Sequence, residues 1–409
     1  MGSYTSLTID NYPVFTSKSY VDPDIINIFS ESDKKIFHRS IGERNDEFIE
    51  IAYEYQTTVG NAIDRLEING FTLDKSKNDF IKCKNDLIKE LTSNLENDQL
   101  EFLRESYTQE LKLLKSSNFN DFIKAFIEIR LKEIRHYMID DTINISNIAR
   151  YLTTDGWFLN YPHSDYWFYL RAFLESCEKD TLVIQDITEL INAGYYDIED
   201  EVRNITVNNQ EKITILTEGE SDIKIISKSI KLLYPHLYDF YNFKDFSISN
   251  AQGGAGQLFL EIKSLIAINH TNKVVALFDN DGEGIHQIKQ LNKLKIPSNF
   301  IILTYPNLSL LEKYPTSNNI MENMNGIAGS IEMYLGRDIL KEKGKFIHIE
   351  LSSSKISQGK IKYKKNLIKK YNKKIIECQK NSILIDSYDW TEMRLLLSKL
   401  FKAFQTKYI

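Results

Sequence analysis

The sequence predicts an α/β fold, with a Rossmann-like parallel sheet in the second half preceded by a mainly α-helical N-terminal domain. Three observations carry this. From Asp46 to about Leu190 apolar residues recur at helical spacing; after Asn204 short β-branched runs alternate with helical segments; and two of those runs end in junctions rich in carboxylates and glycine. Alternating strand and helix implies crossover connections and a parallel sheet, which puts chemistry at the carboxyl ends of the strands.

Ser6 to Tyr20 reads as a hairpin, with Leu7, Ile9, Tyr12, Val14 and Phe15 arranged around the turn-forming pair Asp10-Asn11. In the helical stretch Phe48, Ile51, Ala52 and Tyr55 share a face, as do Phe80, Cys83, Leu87 and Leu91. Gly60, Gly70, Gly156 and Asp140-Asp141 mark the breaks. The later β-runs are Ile213 to Leu216, Phe243 to Ile248, Lys273 to Phe278 and Phe300 to Thr304. Helical segments from Asp222 to Leu233, Gly256 to Ile268 and Gly284 to Leu294 separate them. Beyond Tyr305 a loop from Asn318 to Gly336 leads into a short helix around Ile331 to Leu335. A strand from Phe346 to Leu351 and helices from Leu367 to Ile376 and Trp390 to Phe404 complete the chain and should pack on the α/β unit.

The 409 residues, 42% hydrophobic and 26% charged, describe a soluble chain of two or three domains. No apolar run approaches the roughly 18 residues that span a bilayer, and no basic stretch followed by an apolar core opens the sequence, so a cytoplasmic protein without membrane contact is expected. The three cysteines are far apart, which fits neither a disulfide framework nor a zinc site with paired ligands. Net charge is -6, unevenly spread: Lys341 to Lys380 holds thirteen lysines against three glutamates. Lys362, Lys364, Lys365, Lys369 and Lys370 in this segment form either a phosphate-binding face or a solvated lysine-rich helix.

The first β-run ends in Thr217-Glu218-Gly219-Glu220-Ser221-Asp222 and the third in Asp279-Asn280-Asp281-Gly282-Glu283-Gly284. If the two strands are neighbours in a parallel sheet, Glu218, Asp222, Asp279 and Asp281 converge at one edge. Crowded carboxylates need cations, and hard oxygen ligands with open positions suit Mg²⁺ or Mn²⁺ bridging to phosphates. Two ions about 4 Å apart would suit phosphodiester hydrolysis.

A hydrophobic strand ending in Glu-Gly-x-x-Asp, a glycine loop at Ala251 to Gly256 and a strand ending in Asp-x-Asp-x-x-Gly together resemble the Toprim domain. The resemblance covers about residues 210 to 305 and is closest to OLD-type nucleases. It implies an α/β Toprim fold and a Mg²⁺-dependent nuclease. Glu218 would be metal ligand or general acid/base, Asp279 and Asp281 metal ligands, and Asp222 a helper at the second metal. Ile331-Glu332-Met333-Tyr334 resembles a family motif whose glutamate assists the second ion, although a surface helix carboxylate is the plainer reading of Glu332. Lys360, in Gln358-Gly359-Lys360, falls where the family places a basic residue on the scissile phosphate.

Lys18-Ser19-Tyr20, Ile28-Phe29 and Arg65-Leu66-Glu67-Ile68-Asn69-Gly70-Phe71-Thr72 resemble a bacterial N-terminal module that is joined to HEPN or Toprim effectors and associated with antiviral defence. The expected domains are therefore 1–205 for this module with a short hairpin, 206–336 for the Toprim unit and 337–409 for a basic extension. Arg130 and His136 also approach the HEPN ribonuclease pattern, an alternative catalytic pair; a non-catalytic Toprim binding module is another alternative. Too few cysteines exclude a RecR-like protein, and the chain is too short for a type IA topoisomerase. Gly253-Gly254-Ala255-Gly256 is followed by Gln257, so no P-loop is present. The expected partners are DNA or RNA, with a separate ATPase or sensor protein and a homo-oligomer left open.

Overall fold

An antiparallel sheet, not a hairpin followed by helices alone, organises the N-terminal half. A computed structural model describes residues 2–41, 48–97, 101–135, 143–154, 158–196, 212–246, 253–317, 320–352 and 358–405. The breaks read at Asp140-Asp141 and Gly156, and the boundary at 205, lie outside them. The chain divides into two units, Met1–Gln210 and Glu211–Ile409.

In the first unit β1 (Tyr4–Ile9), β2 (Tyr12–Lys18), β3 (Lys34–Ile41), β4 (Phe48–Thr58) and β5 (Leu182–Asp186) form a five-stranded sheet in the order β2-β1-β5-β4-β3. Asp10 and Asn11 both have positive φ, 53° and 61°, the backbone that a tight hairpin requires and that Asp and Asn tolerate. The helical face read at Phe48, Ile51, Ala52 and Tyr55 is wrong: all four lie on β4. Ile49, Ile51, Tyr53 and Tyr55 also alternate with period two, and β-branched and aromatic residues favour the strand. What decides between the two periods is pairing with β3 and with β5, more than 120 residues away.

Helices α1 (Val59–Ile68), α2 (Leu73–Asn97), α3 (Glu101–Ser116), α4 (Phe119–Leu131) and α5 (Tyr166–Leu174) belong to the same unit. Their core is aromatic, with Phe80, Phe122, Phe126, Tyr161, Tyr169 and Phe173 in edge-on and tilted contact. Arg39 on β3 binds Glu50 and Glu54 of β4 and Asp186 of β5, at 2.6, 2.8 and 2.7 Å. Arg65 of α1 is only 1% exposed and donates to both Asp33 oxygens, at 2.7 and 3.1 Å, and to the Ile28 carbonyl at 3.0 Å.

The second unit holds a parallel sheet, β6 (Ile213–Thr217), β7 (Tyr241–Phe243), β8 (Val274–Phe278) and β9 (Phe300–Thr304), in the order β7-β6-β8-β9. Helices α6 (Glu220–Leu233), α7 (Ala255–Ala267) and α8 (Gly282–Leu291) alternate with the strands. Every residue of β8 is buried, as expected of an inner strand covered on both faces. The second strand is Tyr241–Phe243, not the run read from Phe243 to Ile248: the buried Tyr241 pairs with Ile213, Lys244 to Phe246 are not strand, and Ser247 and Ile248 lie outside the described residues. The run read from Phe346 to Leu351 divides into Lys345–Phe346 and Ile349–Leu351, which pair with different partners.

Helices α9 (Lys364–Lys380) and α10 (Thr391–Phe401) belong to this unit. Tyr371 of α9 hydrogen-bonds Ser229 of α6 at 2.7 Å, and Phe401 of α10 meets Tyr234 edge-on. Lys374 is buried, with its ammonium on the carbonyls of Leu335 and Asp389 and 4.1 Å from the Trp390 ring centre.

Arg65→Met leaves Asp33 buried without its counter-charge and should destabilise the N-terminal unit by about 3–5 kcal/mol in urea unfolding of the full chain. Adding Asp33→Leu should recover most of that loss; no recovery would show that packing of the guanidinium, not its charge, matters at this position.

Candidate metal centre

Register brings two carboxylates together. Thr217 on β6 stands opposite Leu277 on β8 in parallel pairing, so the residues just past the two strand ends, Glu218 and Asp279, emerge side by side. Glu218 Oε1 accepts the Asp279 backbone N–H at 2.8 Å. Asp281 caps α8, its Oδ1 accepting from the Gly284 amide at 2.9 Å, and Asp222 lies in the first turn of α6, 5% exposed.

Two glycines permit this crowding. A Cβ at position 284 would collide with the Asp279 carbonyl oxygen and stand 3.3 Å from Glu218 Oε1; one at position 253 would lie 2.9 Å from the Glu218 carbonyl oxygen. The Gly254 amide donates to that same carbonyl at 2.7 Å, which folds the glycine loop over Glu218. Ala251 and Gln252 of this loop lie outside the described residues.

A second segment closes the site. Asn280 and Gly329 exchange backbone hydrogen bonds of 3.0 and 3.1 Å, which brings the turn Ile331–Tyr334 against the sheet edge. Glu332 is 1% exposed, not a surface carboxylate. Ser330 Oγ donates to its Oε2 at 2.7 Å, and Lys364 Nζ lies 2.8 Å from its Oε1.

Burial and mutual repulsion dominate the electrostatics. Burial pushes Glu218 up to about 7, against the lowering effect of the Asp279 amide, and the charges of Asp281 and Asp222 add to the rise. Asp222 is pushed up to about 7 by burial and by Glu332, with Lys364 opposing. Asp279 is held well above the usual carboxylate range by burial and by Asp222 and Glu218. Asp281 is raised by burial, with Lys360 pulling the other way.

Buried Asp279 Oδ1 has no hydrogen-bond partner. As the side chains stand, no three His, Cys, Asp or Glu groups among the described residues enclose a common cation position. The donor set nonetheless fits a hard divalent ion: all oxygen, over-supplied with negative charge, and including one buried oxygen with nothing to bind. Mg²⁺ commonly takes only one or two carboxylates and keeps several waters, so a closed protein cage is not required.

The five lysines assigned to a phosphate face separate into two groups. Lys362 pairs with Glu350 at 2.9 Å and Lys364 with Glu332, while Lys365, Lys369 and Lys370 are exposed on α9. Lys360 is exposed on the strand Gly359–Ile361 and within electrostatic reach of Asp281. Sequence reasoning passed over Tyr305, Glu283 and Ser330. Tyr305 immediately follows β9, is buried, and has an unpartnered hydroxyl within the field of Asp222, Asp279 and Glu218; its position after a parallel strand was the signal. Glu283 lies in the field of Glu218 and accepts from Gln358 at 3.0 Å.

In the first unit Arg130 is held by Asp10 at 2.5 Å and by the Ser176 carbonyl at 2.9 Å, so it ties α4 to the β1–β2 hairpin. His136 lies outside the described residues.

These features define a protein that is about half helical, in which an antiparallel-sheet module precedes a parallel α/β unit with an acidic centre at its strand ends. Residues 1–209 match the family model HEPN/Toprim N-terminal domain 1, just over half of the chain, and the chain belongs to that family. The match ends before β6, so the acidic centre lies beyond it. No curated protein and no solved structure matches the chain. No helix among the described residues is long and apolar enough to cross a membrane.

Raised carboxylates favour a folded state that holds more protons than the unfolded one. Their stabilisation is complete below about pH 4 and is lost as pH rises through about 7. Metal-free protein should therefore melt several degrees lower at pH 8.5 than at pH 5.5. Asp279→Asn should flatten this dependence, and Mg²⁺ should restore stability at pH 8.5 only to the unsubstituted chain. Differential scanning fluorimetry across pH, with and without Mg²⁺, reads all three.

Proposed function

We propose that residues 211–409 form a Toprim-type, OLD-like nuclease centre that hydrolyses phosphodiester bonds in DNA or RNA with Mg²⁺ or Mn²⁺, in bacterial antiviral defence. The observation that carries this reading is the Glu218–Asp279 pair, held together at the carboxyl edge of adjacent parallel strands with Asp222, Asp281 and Glu332 in the same field. The family's name joins the N-terminal module to HEPN and Toprim, which supports a nuclease-type effector.

Glu218, Asp279 and Asp281 would hold one cation, and Asp222 with Glu332 would help hold a second. When bound, such ions supply charge neutralisation and a water of lowered pKa. Where it does not ligate an ion, Glu218, which burial pushes up to about 7 in the metal-free chain, can hold or release a proton, the property a general acid/base needs. Lys360, beside Asp281, would place its ammonium against the scissile phosphate, and the basic α9 would raise the local concentration of nucleic acid. Gly253-Gly254-Ala255-Gly256 is not a P-loop; a separate ATPase or sensor protein is a candidate partner, and the N-terminal module would hold it.

Purified full-length protein should cut at least one of supercoiled plasmid, single-stranded DNA and total tRNA with Mg²⁺ or Mn²⁺ and none with EDTA. Asp281→Ala and Glu218→Gln should each lower the rate by about 10²–10⁴-fold, and His136→Ala should leave it unchanged. Cutting that survives Asp281→Ala, or that is lost with His136→Ala, would overturn the assignment.

A further inference from the structure

Tyr363 is the N-cap of α9 and adopts the left-handed conformation, φ 58° and ψ 30°. A bulky residue rarely accepts this, and strained backbone that persists concentrates at binding and catalytic sites. No packing repays the strain: Tyr363 is 60% exposed. Tyr363 lines an open cavity of about 740 Å³ whose wall continues along one face of α9. The half-exposed Ile376 supplies apolar surface there beside the buried Leu367, and Lys369, Lys370 and Lys373 a cationic rim opposed by a single carboxylate, Glu342. Lys373 has only a loose pair with Glu377, at 3.6 Å.

The groove begins where the acidic centre ends. Lys364, the next residue after Tyr363, has its ammonium 2.8 Å from Glu332 Oε1. An exposed aromatic ring, an apolar floor and a lysine rim match a polyanion with flat apolar faces presented sideways. Duplex nucleic acid hides those faces in its stack, whereas an unpaired strand offers them. We propose that this groove binds single-stranded nucleic acid, with a base stacked on Tyr363 and the following phosphates along Lys369, Lys370 and Lys373. The strand would lead out of the acidic centre, so the substrate of the proposed nuclease is unpaired next to the scissile bond. That last clause rests on the nuclease reading; the binding does not.

The test is fluorescence anisotropy of the full chain in EDTA with labelled 20-nucleotide single-stranded DNA, the same sequence as RNA, and the DNA duplex. At least one single strand should bind about tenfold more tightly than the duplex. Tyr363→Ala should weaken that binding about tenfold, Tyr363→Phe should retain it, and the duplex should respond to neither. Tyr363→Gly separates stacking from folding, since glycine relieves the strained backbone: it should keep or raise the melting temperature and still lose single-strand binding. Lys369→Gln with Lys370→Gln and Lys373→Gln should flatten the salt dependence. Equal affinity for strand and duplex, retained binding by Tyr363→Gly, or a mononucleotide binding as tightly as the 20-mer would each overturn the proposal. Absence of cutting with the binding pattern intact would instead count against the nuclease reading alone.

Discussion

The hydrogen bond from the Asp279 amide to Glu218 couples backbone to charge: it forms only because β6 and β8 are hydrogen-bonded neighbours, and it holds one carboxylate beside another. Everything else at the sheet edge accommodates that constraint. Gly284 and Gly253 give the space, the α8 N-terminus takes Asp281 as its cap, and the Asn280–Gly329 exchange brings Glu332 in from a separate segment. A cluster assembled this way carries more negative charge than its hydrogen bonds satisfy. Such a site is a strained ground state of the bare protein, relieved by protons or by cations.

Lys364 is the chain's own partial answer. Its ammonium neutralises Glu332, while Asp279, deeper in the edge, keeps a bare oxygen. The charge imbalance is thus graded across the site, smallest near α9 and largest between β6 and β8. A cation entering the centre meets an unpartnered carboxyl oxygen on one side, where it competes with a proton, and an already paired carboxylate on the other.

Much of the second unit was legible because its signals are local. A β-branched run followed by a carboxylate and a glycine states strand, turn and helix within ten residues, and Glu218, Asp279 and Asp281 follow from it directly. Glu332 was legible as a motif but not as a buried group, since its burial depends on a backbone exchange with Asn280, fifty residues earlier. Lys362 and Lys364 looked like free cations for the same reason: Glu350 and Glu332, their partners, are placed by tertiary contact. In the first unit Phe48 to Tyr55 satisfy both a helical and a strand period, and pairing with β3 and with the distant β5 separates the two.

That distant strand also dictates how the first unit is made. β5 lies between β1 and β4, so the middle of the sheet is its last strand in sequence. Until β5 is available, β1–β2 and β3–β4 can pair only as two separate hairpins with open inner edges, and the helical segment between β4 and β5 is synthesised before it. Non-local pairing of this kind is slow and leaves unpaired edges exposed to other chains. The aromatic helical core can collapse before the sheet closes, and it would then hold the two hairpins near each other for β5 to enter between them. A truncation before Leu182 would therefore remove the central strand, so residues 1–186 form the smallest segment that can complete the sheet.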